Sequence, residues 1–155
     1  MIAVSGTPGT GKTRLAKRIA KELGLDYVSL NDFSREHQLV VGRDRKRKTD
    51  EVDVGRLKRF RFRNAVLDGH FSHELGADVK IVLRLQPHKL KKRLERKGWS
   101  GRKVRENCEA EAMGIIAGEA PDAYQIVSDG KAFGKAMKAV RGKLKRTSYD
   151  FSGWL

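Results

Sequence analysis

Gly-Thr-Pro-Gly-Thr-Gly-Lys-Thr, at residues 6–13, is the stretch that decides the fold of this chain. It matches the pattern G-x-x-x-x-G-K-[ST], follows an apolar run at residues 1–4 and precedes a helical pattern. Glycines in such a loop let backbone N–H groups turn around phosphate oxygens, and the following helix adds the positive end of its dipole. Lys12 then supplies a mobile charge for the β- and γ-phosphates, and the Thr13 hydroxyl is the expected Mg²⁺ ligand. The stretch therefore predicts a site for a nucleoside triphosphate.

Length and composition are those of one globular domain, residues 1–155, with 39% hydrophobic and 34% charged residues. A domain of this length buries roughly two thirds of its unfolded surface around one core. Cys108 is the single cysteine, so an internal disulfide is excluded and a reducing compartment is expected. The sequence carries neither a signal-peptide pattern nor an apolar run of membrane-spanning length. These features predict a cytoplasmic protein without a membrane partner.

The formal net charge of +15 is the outlier in the composition. Such an excess favours polyanionic partners, either substrate phosphates or a nucleic-acid backbone, through long-range attraction and counterion release. The other explanation is a solvated, highly charged surface of the kind found in proteins from hot habitats. Composition alone leaves both explanations open.

Apolar runs alternate with helical patterns along the chain. After the first run, strands are predicted at residues 25–30, 64–68, 79–85 and 124–127, and helices at residues 13–23, 32–38, 54–63, 87–97, 103–117 and 131–145. Asn31 or Asp32 is the expected cap of the second helix, and residues 42–53 are charged enough to predict a solvated loop. The alternation predicts an α/β fold of three layers, with five parallel strands and ligands at their carboxyl ends.

A second motif, Asp68-Gly69-His70, ends the apolar run at residues 64–68. An aspartate at a strand end, in a chain with a phosphate loop, is where the acidic partner that positions Mg²⁺ is expected. A neutral imidazole at His70 can orient a water or sense the γ-phosphate. The alternative is a histidine that only hydrogen-bonds a loop, and the sequence does not decide between them.

Two stretches have the properties of the mobile lobes that small-molecule kinases need. Residues 31–53 lie between the second strand and the strand ending at Asp68, where an acceptor-binding lobe is expected. Residues 97–105 combine glycines with basic side chains, which is typical of a short lid, although a basic helical surface is the alternative. The string Asn-Lys-x-Asp, with which GTPases bind guanine, does not occur in the sequence.

The segments that carry a family resemblance span nearly the whole chain. They are residues 6–13, Asn-Asp-Phe-Ser-Arg-Glu at 31–36, Val-Asp at 52–53, Asp-Gly-His at 68–70, Val-Leu-Arg at 82–84, Arg-Leu-Glu-Arg-Lys-Gly-Trp at 93–99 and Lys-Val-Arg-Glu-Asn at 103–107. With these segments the chain resembles the adenylate kinase isoenzyme 6 family, small kinases of archaea and eukaryotic nuclei linked to small ribosomal subunit maturation. The resemblance implies Mg²⁺-dependent phosphoryl transfer from ATP to AMP, with ATPase side activity. It also implies association with a small-subunit ribosomal protein and a role in rRNA maturation, and it leaves direct contact with rRNA open.

Roles carry over by position. The resemblance implies that the ATP phosphates are bound by Gly9, Thr10, Gly11, Lys12, Thr13 and Arg14, and that the catalytic residues are Lys12, Asp68 and His70. Mg²⁺ is expected on Thr13 and, through a water, on Asp68, and the acceptor on Asp32, Arg35 and Asp53. The lid departs from the family, because Lys97 stands where an arginine is usual and lysine lacks the bidentate fork of arginine. Arg96, one step earlier, is the expected substitute.

The competing hypothesis is a ribosome-assembly ATPase that binds RNA or ribosomal protein. It depends on the net charge of +15, the basic run at residues 43–48, and residues 56–63, where Phe60 and Phe62 interleave with basic side chains. Aromatic rings among arginines can stack on unpaired bases, but the same spacing is compatible with rings that face the core.

Overall fold

A parallel sheet flanked by helices forms the body of the molecule. The structure is a computed structural model, and it describes residues 1–44 and 49–155. In chain order the elements are β1 (Ile2–Ser5), α1 (Lys12–Leu23), β2 (Asp26–Ser29), α2 (Leu30–Glu36), β3 (Val40–Asp44), β4 (Thr49–Val52), α3 (Val54–Leu57), β5 (Ala65–Asp68), β6 (Val79–Arg84), α4 (Pro87–Arg96), α5 (Gly101–Ala112), α6 (Ile115–Glu119), β7 (Tyr124–Val127) and α7 (Ala132–Val140), with 3-10 turns at Ser72–Leu75 and Ser152–Trp154.

The sheet has the strand order β2-β5-β1-β6-β7 within the described residues, and neighbouring strands pair in parallel. The predicted α/β fold with five parallel strands is therefore confirmed. Strands β1 and β5 are buried along their whole length, as expected for a parallel sheet covered on both faces. Register places Val4 beside Asp68 and Ser5 beside Val82. The chain segment that follows β1 consequently emerges at the edge where β5 and β6 also end.

Two apolar clusters cover the faces of the sheet and produce the three layers. On one face α1 and α7 pack through Leu15, Ile19 and Ala136 against the strands. On the other face Leu30, Leu57 and Phe71 are among the buried residues. The spacing of Leu15 and Ile19 is one helical turn, so the polar side chains of α1 face outward while its apolar stripe is buried.

Residues 42–53, predicted to be a solvated loop, instead contain most of a β-hairpin. Strands β3 and β4 pair antiparallel, with Val40 beside Val52 and Arg43 beside Asp50. Opposite charges directly across a strand pair stabilise it, so a charged sequence can form a hairpin as well as a loop. The part of the basic run at residues 45–48 lies outside the described residues.

The boundaries of several predicted helices were wrong, and local caps explain the differences. Helix α2 begins at Leu30 because Ser29, rather than Asn31 or Asp32, is its cap and accepts a hydrogen bond from the Asp32 N–H at 3.4 Å. The helix predicted at residues 103–117 is divided into α5 and α6 by Gly114, whose φ is 65°. The helix predicted at residues 131–145 ends at Val140, two residues before Gly142.

The basic helix predicted at residues 54–63 is limited to α3, a single turn. Beyond it Phe60 and Phe62 each meet Phe33 edge to face at 5.0 Å between ring centroids. Phe62 also packs against the buried cluster below, whereas Phe60 is 37% exposed. These contacts favour the core interpretation over base stacking for Phe62. Phe60 also packs on Phe33 but stays partly exposed.

Candidate active site

The phosphate loop, residues 6–13, lies at the carboxyl end of β1, and two of its glycines lie in close contact with neighbouring elements. Gly6 has a φ of 145°, and a Cβ there would lie 2.5 Å from the carbonyl oxygen of Leu83. Gly9 has a φ of 92°, and a Cβ there would lie 2.7 Å from the side chain of Leu94. Both positions require glycine, so β6 and α4 together fix the path of the loop.

Lys12 begins α1 at the end of this loop. Its Nζ donates to the carbonyl oxygen of Thr7 at 3.3 Å. The pKa of Lys12 is lowered to about 8, chiefly by burial; the carboxylate of Asp68 opposes this shift and the nearby charge of Lys97 adds to it. A negatively charged ligand beside Lys12 would restore the charge that burial disfavours.

Thr13 and Asp68 meet across the site. The Thr13 hydroxyl donates to Oδ2 of Asp68 at 2.6 Å, and the Tyr27 hydroxyl donates to the same oxygen at 2.7 Å. Tyr27 was not predicted as a site residue. Burial, and after it the hydrogen bond to Asp68, raises the pKa of the Tyr27 phenol. The sequence offered only a weak signal, a polar aromatic residue in a predicted strand, because the contact with Asp68 depends on the pairing of β2 with β5.

A cavity of about 360 Å³ opens between the phosphate loop and the start of α2. Its size is within the range of small-molecule sites. The lining residues are mostly polar and comprise Pro8, Lys12, Thr13, Lys17, Tyr27, Ser29, Asn31, Asp32, Asp68, Gly69 and His70. The structure thus brings the loop, the strand-end aspartate and Asp32 together around one space.

His70 lines this cavity and packs edge to face on Phe71 at 4.8 Å. Although the residue as a whole is exposed, desolvation of the imidazole by nearby protein atoms, together with the charges of Lys12 and His73, lowers its pKa to about 4. The imidazole is therefore neutral near pH 7. In that form one ring nitrogen can accept a hydrogen bond from a water in the cavity.

The predicted acceptor residues are not all at the cavity. Asp32 lines it, but Arg35 donates from Nε to Asp50 at 2.7 Å and lies 3.6 Å from Asp32. Asp53 lines neither cavity described here, because its carboxylate caps α3 by accepting from the Arg56 N–H at 2.9 Å. Arg35 is consequently engaged by carboxylates, and Asp53 has a structural role in this conformation.

The predicted lid, residues 97–105, contains the connection between α4 and α5 and the first residues of α5. Residues 97–100 connect the two helices, and neither Arg96 nor Lys97 lines the described cavities. Arg93, one turn earlier, reaches the phosphate loop and donates to the carbonyl oxygens of Gly9 and Thr10 at 3.3 and 3.1 Å. Arg93, which was not predicted as a site residue, thus contacts the loop in this conformation, and the roles predicted for Arg96 and Lys97 at the ATP phosphates stay predictions.

A second cavity, of about 520 Å³, lies on the other side of the loop. It is half apolar and is lined by Gly11, Arg14, Leu15, Arg18, Leu83, Arg93, Ser128, Asp129, Gly130, Ala132 and Phe133. Arg14 was expected near the nucleotide and lies here, whereas residues 128–133 were not predicted to belong to the site. The guanidinium of Arg18 covers the Phe133 ring at 3.8 Å, which gives the cavity a flat basic and aromatic wall.

Residues 1–44 and 49–155 contain neither a metal-binding cluster nor a membrane-spanning helix. No group of three His, Cys, Asp or Glu side chains that could hold a metal ion occurs there. Across the same part of the chain, no helix combines the length and apolar character needed to cross a bilayer.

Comparison with known proteins identifies the family. The model of a family described as an AAA domain matches residues 2–114. A protein of Pyrococcus furiosus named "Putative adenylate kinase" is 41% identical over 142 residues, which cover 90% of this chain and 79% of that protein. A protein of the same name from Methanothermobacter thermautotrophicus is 34% identical and covers 100% of this chain and 99% of its own length. The chain belongs to this archaeal adenylate kinase family. Among the predictions from sequence, the kinase class and the nucleotide-binding P-loop are confirmed.

Solved structures agree on the fold of this adenylate kinase homologue. Shikimate kinase from Bacteroides thetaiotaomicron superposes with a TM-score of 0.60 at 19% identity, over 91% of this chain and 95% of that one. Deoxyadenosine kinase from M. mycoides, solved with bound dCTP, has a TM-score of 0.56 at 16% identity, over 91% and 98% of the two chains. At these identities the likeness concerns the P-loop kinase fold alone.

Proposed function

We propose that this protein is a Mg-ATP-dependent nucleoside monophosphate kinase that phosphorylates AMP. The observation that carries the proposal is the convergence of Lys12, Thr13 and Asp68 on one side of a polar cavity that also contains Asp32. Phosphoryl transfer depends mainly on positioning and charge neutralisation, which such a cluster supplies without a covalent intermediate. Membership of the adenylate kinase family supports AMP as the acceptor.

The donor set fits Mg²⁺, because the Thr13 hydroxyl and the Asp68 carboxylate are oxygen ligands of the kind that this ion prefers. Thr13 would hold the ion directly, and Asp68 would hold it through a water. Bound there, Mg²⁺ neutralises charge on the β- and γ-phosphates. Tyr27 keeps the Asp68 carboxylate in place by its hydrogen bond.

The two cavities would divide the substrates between them. The ATP base and ribose suit the half-apolar cavity beside Phe133, and the AMP phosphate suits the polar cavity at Asp32. An oxygen of the AMP phosphate attacks the γ-phosphorus as the bond to the leaving ADP oxygen breaks. Lys12 would follow the transferred group, and Arg35 would orient AMP after leaving Asp50.

Product analysis tests the proposal most directly. ATP alone, and ATP with each nucleoside monophosphate in turn, would be incubated with the protein and Mg²⁺, and ADP would be measured. We expect ADP formation to depend on AMP and to be abolished in Lys12→Ala. Lys21→Ala, which removes the same charge from the exposed end of α1, is expected to behave as wild type. Full turnover by Lys12→Ala, or no response to AMP, would contradict the proposal.

Hydrolysis of ATP in a ribosome-assembly role is the second candidate, and the neutral His70 imidazole is the observation in its favour. Because the pKa of His70 is lowered to about 4, it can accept a hydrogen bond from a water near the phosphates. The net charge of +15 supports a partner such as rRNA or its ribosomal protein complex. AMP-independent hydrolysis, stimulated by a small-subunit rRNA fragment and lost at high salt, would favour this role over AMP phosphorylation.

A further inference from the structure

A buried charge pair lies behind the phosphate loop and outside both cavities. Nε of Arg84, the last residue of β6, donates to Oε1 of Glu111 on α5 at 2.8 Å, and the two side chains are only 2% and 3% exposed. Burial of such a pair costs desolvation free energy that an apolar pair of similar volume avoids. Sequence reasoning overlooked Glu111, although it lies three residues after Cys108 on the buried stripe of α5.

The carboxylate of Glu111 binds the phosphate loop itself. Its Oε2 accepts a hydrogen bond from the Thr7 hydroxyl at 2.5 Å, and its Oε1 also accepts from the Leu85 N–H at 3.0 Å. Arg84 is held in turn by Gln125, whose Oε1 lies 2.7 Å from its guanidinium. Glu111 therefore joins a buried polar network to a loop that is otherwise held by close packing around Gly6 and Gly9 and by the hydrogen bonds of Arg93.

Thr7 transmits this attachment to the reactive end of the loop. Its carbonyl oxygen accepts from the Thr10 N–H at 3.2 Å and from the Thr10 hydroxyl at 2.8 Å. The same oxygen accepts from Nζ of Lys12 at 3.3 Å. A shift of Thr7 would thus move the Lys12 ammonium and the turn that precedes α1.

We infer that Glu111 is a positioning residue for the phosphate loop, acting through the Thr7 hydroxyl on the geometry of Lys12. The inference rests on the proposed function, since it names what holds the proposed ATP site in shape. Glu111 does not line the cavities that would receive substrates. Its effect is therefore expected in the affinity for ATP and in kcat, and not in the affinity for AMP.

Thr7→Val tests the attachment, because it removes the hydroxyl with little change in side-chain volume. We expect the Kd for ATP to rise and kcat/KM for ATP to fall, each about tenfold, as for the loss of one hydrogen bond to a charged group. Thr7→Ser, which restores the hydroxyl, is expected to recover most of that loss. Glu109→Gln on α5, which removes a carboxylate charge from an exposed pair with Arg105, is the control for Glu111→Gln below and is expected to behave as wild type.

A double-mutant cycle assigns the effect to Glu111. Glu111→Gln should weaken ATP binding as Thr7→Val does, and the double variant should be no weaker than either single one, because both remove the same contact. Fully additive losses would overturn the inference. If Glu111→Gln does not fold, the comparison of Thr7→Val with Thr7→Ser decides.

Calorimetric titration with ATP alone, at a temperature well below the melting transition of each variant, separates positioning from stability. A merely structural contact would lower the Tm of Thr7→Val and leave the Kd of the folded protein unchanged, which would overturn the inference. This measurement needs no AMP. A wild-type protein that binds ATP but does not phosphorylate AMP would contradict the proposed function, while the titrations would still decide the role of Glu111.

Discussion

The phosphate-loop side and the acceptor side of the cavity are built in different ways. On the loop side Thr10 is buried and donates to the Thr7 carbonyl oxygen within the loop. Asp68 is 7% exposed and accepts from Thr13 at the start of α1 and from Tyr27 on β2. On the acceptor side the Arg35 side chain is 61% exposed, and it pairs with Asp50 of the hairpin. Exposed pairs contribute little to stability and exchange partners readily, whereas buried networks hold one geometry.

This difference indicates which half is ready for its ligand. The loop already presents Lys12 and Thr13 to the cavity, so binding of ATP requires little rearrangement. Arg35, the proposed acceptor-binding arginine, would have to leave Asp50 before it could bind a phosphate. Selectivity for the acceptor is therefore expected to depend on movement of the hairpin and α2, and the following predictions test that division.

The largest effect is expected from raising the pH, which should lower kcat/KM for ATP without changing the affinity for AMP. Because burial lowers the pKa of Lys12 to about 8, kcat/KM for ATP should fall about tenfold for each pH unit above that value, roughly a hundredfold by pH 10. Hydrogen bonding and charge from Asp50 raise the pKa of Arg35, so it stays charged throughout. The Kd for AMP alone should therefore stay constant over the same range.

A pH–rate profile at saturating AMP and calorimetric titrations with AMP would provide these two quantities. In Lys12→Arg the inflection should disappear, since arginine remains protonated. The free energy of unfolding is expected to change with pH in the opposite direction to kcat/KM. The pKa of Lys12 is lower in the folded protein than its ordinary 10.5, so burial of the charged side chain destabilises the fold below pH about 8. This cost disappears as the pH rises from about 8 to 10.5. A flat profile for ATP up to pH 10 would remove the distinction between the two sides.

The sequence predicted the loop side well because its signals are local. A spacing of glycines, lysine and threonine within residues 6–13, and an aspartate ending an apolar run, specify the partners wherever the strands pair in parallel. Tyr27 and Glu111 escaped detection because their roles depend on pairing with residues 41 and 104 positions away. Such contacts appear only once the sheet order and the packing of α5 are known.

The acceptor side was predicted less completely for a related reason. Each polar side chain between residues 31 and 53 has several partners within reach, and the sequence does not indicate which carboxylate binds Arg35. Asp53 became a helix cap because it precedes a single-turn helix, and Asp50 became the partner because hairpin pairing places it near α2. Where charged residues are plentiful, spacing alone does not select the contact.

Substitution of Arg93 should weaken ATP binding by an intermediate factor and leave AMP binding unchanged. Arg93→Ala removes two hydrogen bonds to loop carbonyls and is expected to raise the Kd for ATP about tenfold. Arg96→Ala removes the same charge one turn later on α4 and serves as the matched control. Calorimetric titration with ATP compares them. Equal losses would indicate that only net charge matters, and a larger loss in Arg96→Ala would restore the assignment made from the family resemblance.

The smallest effect is expected on the acceptor side, where Asp50→Asn removes the charge that engages Arg35. Since the pair is exposed, its loss should lower KM for AMP only about threefold and leave KM for ATP unchanged. Glu51→Gln, one residue further along β4, makes the same charge change and controls for the general field of the hairpin. Steady-state kinetics with varied AMP measures both variants. A rise in KM for AMP in Asp50→Asn would mean that Asp50 holds Arg35 in its binding position, and the acceptor side would then be as preorganised as the loop.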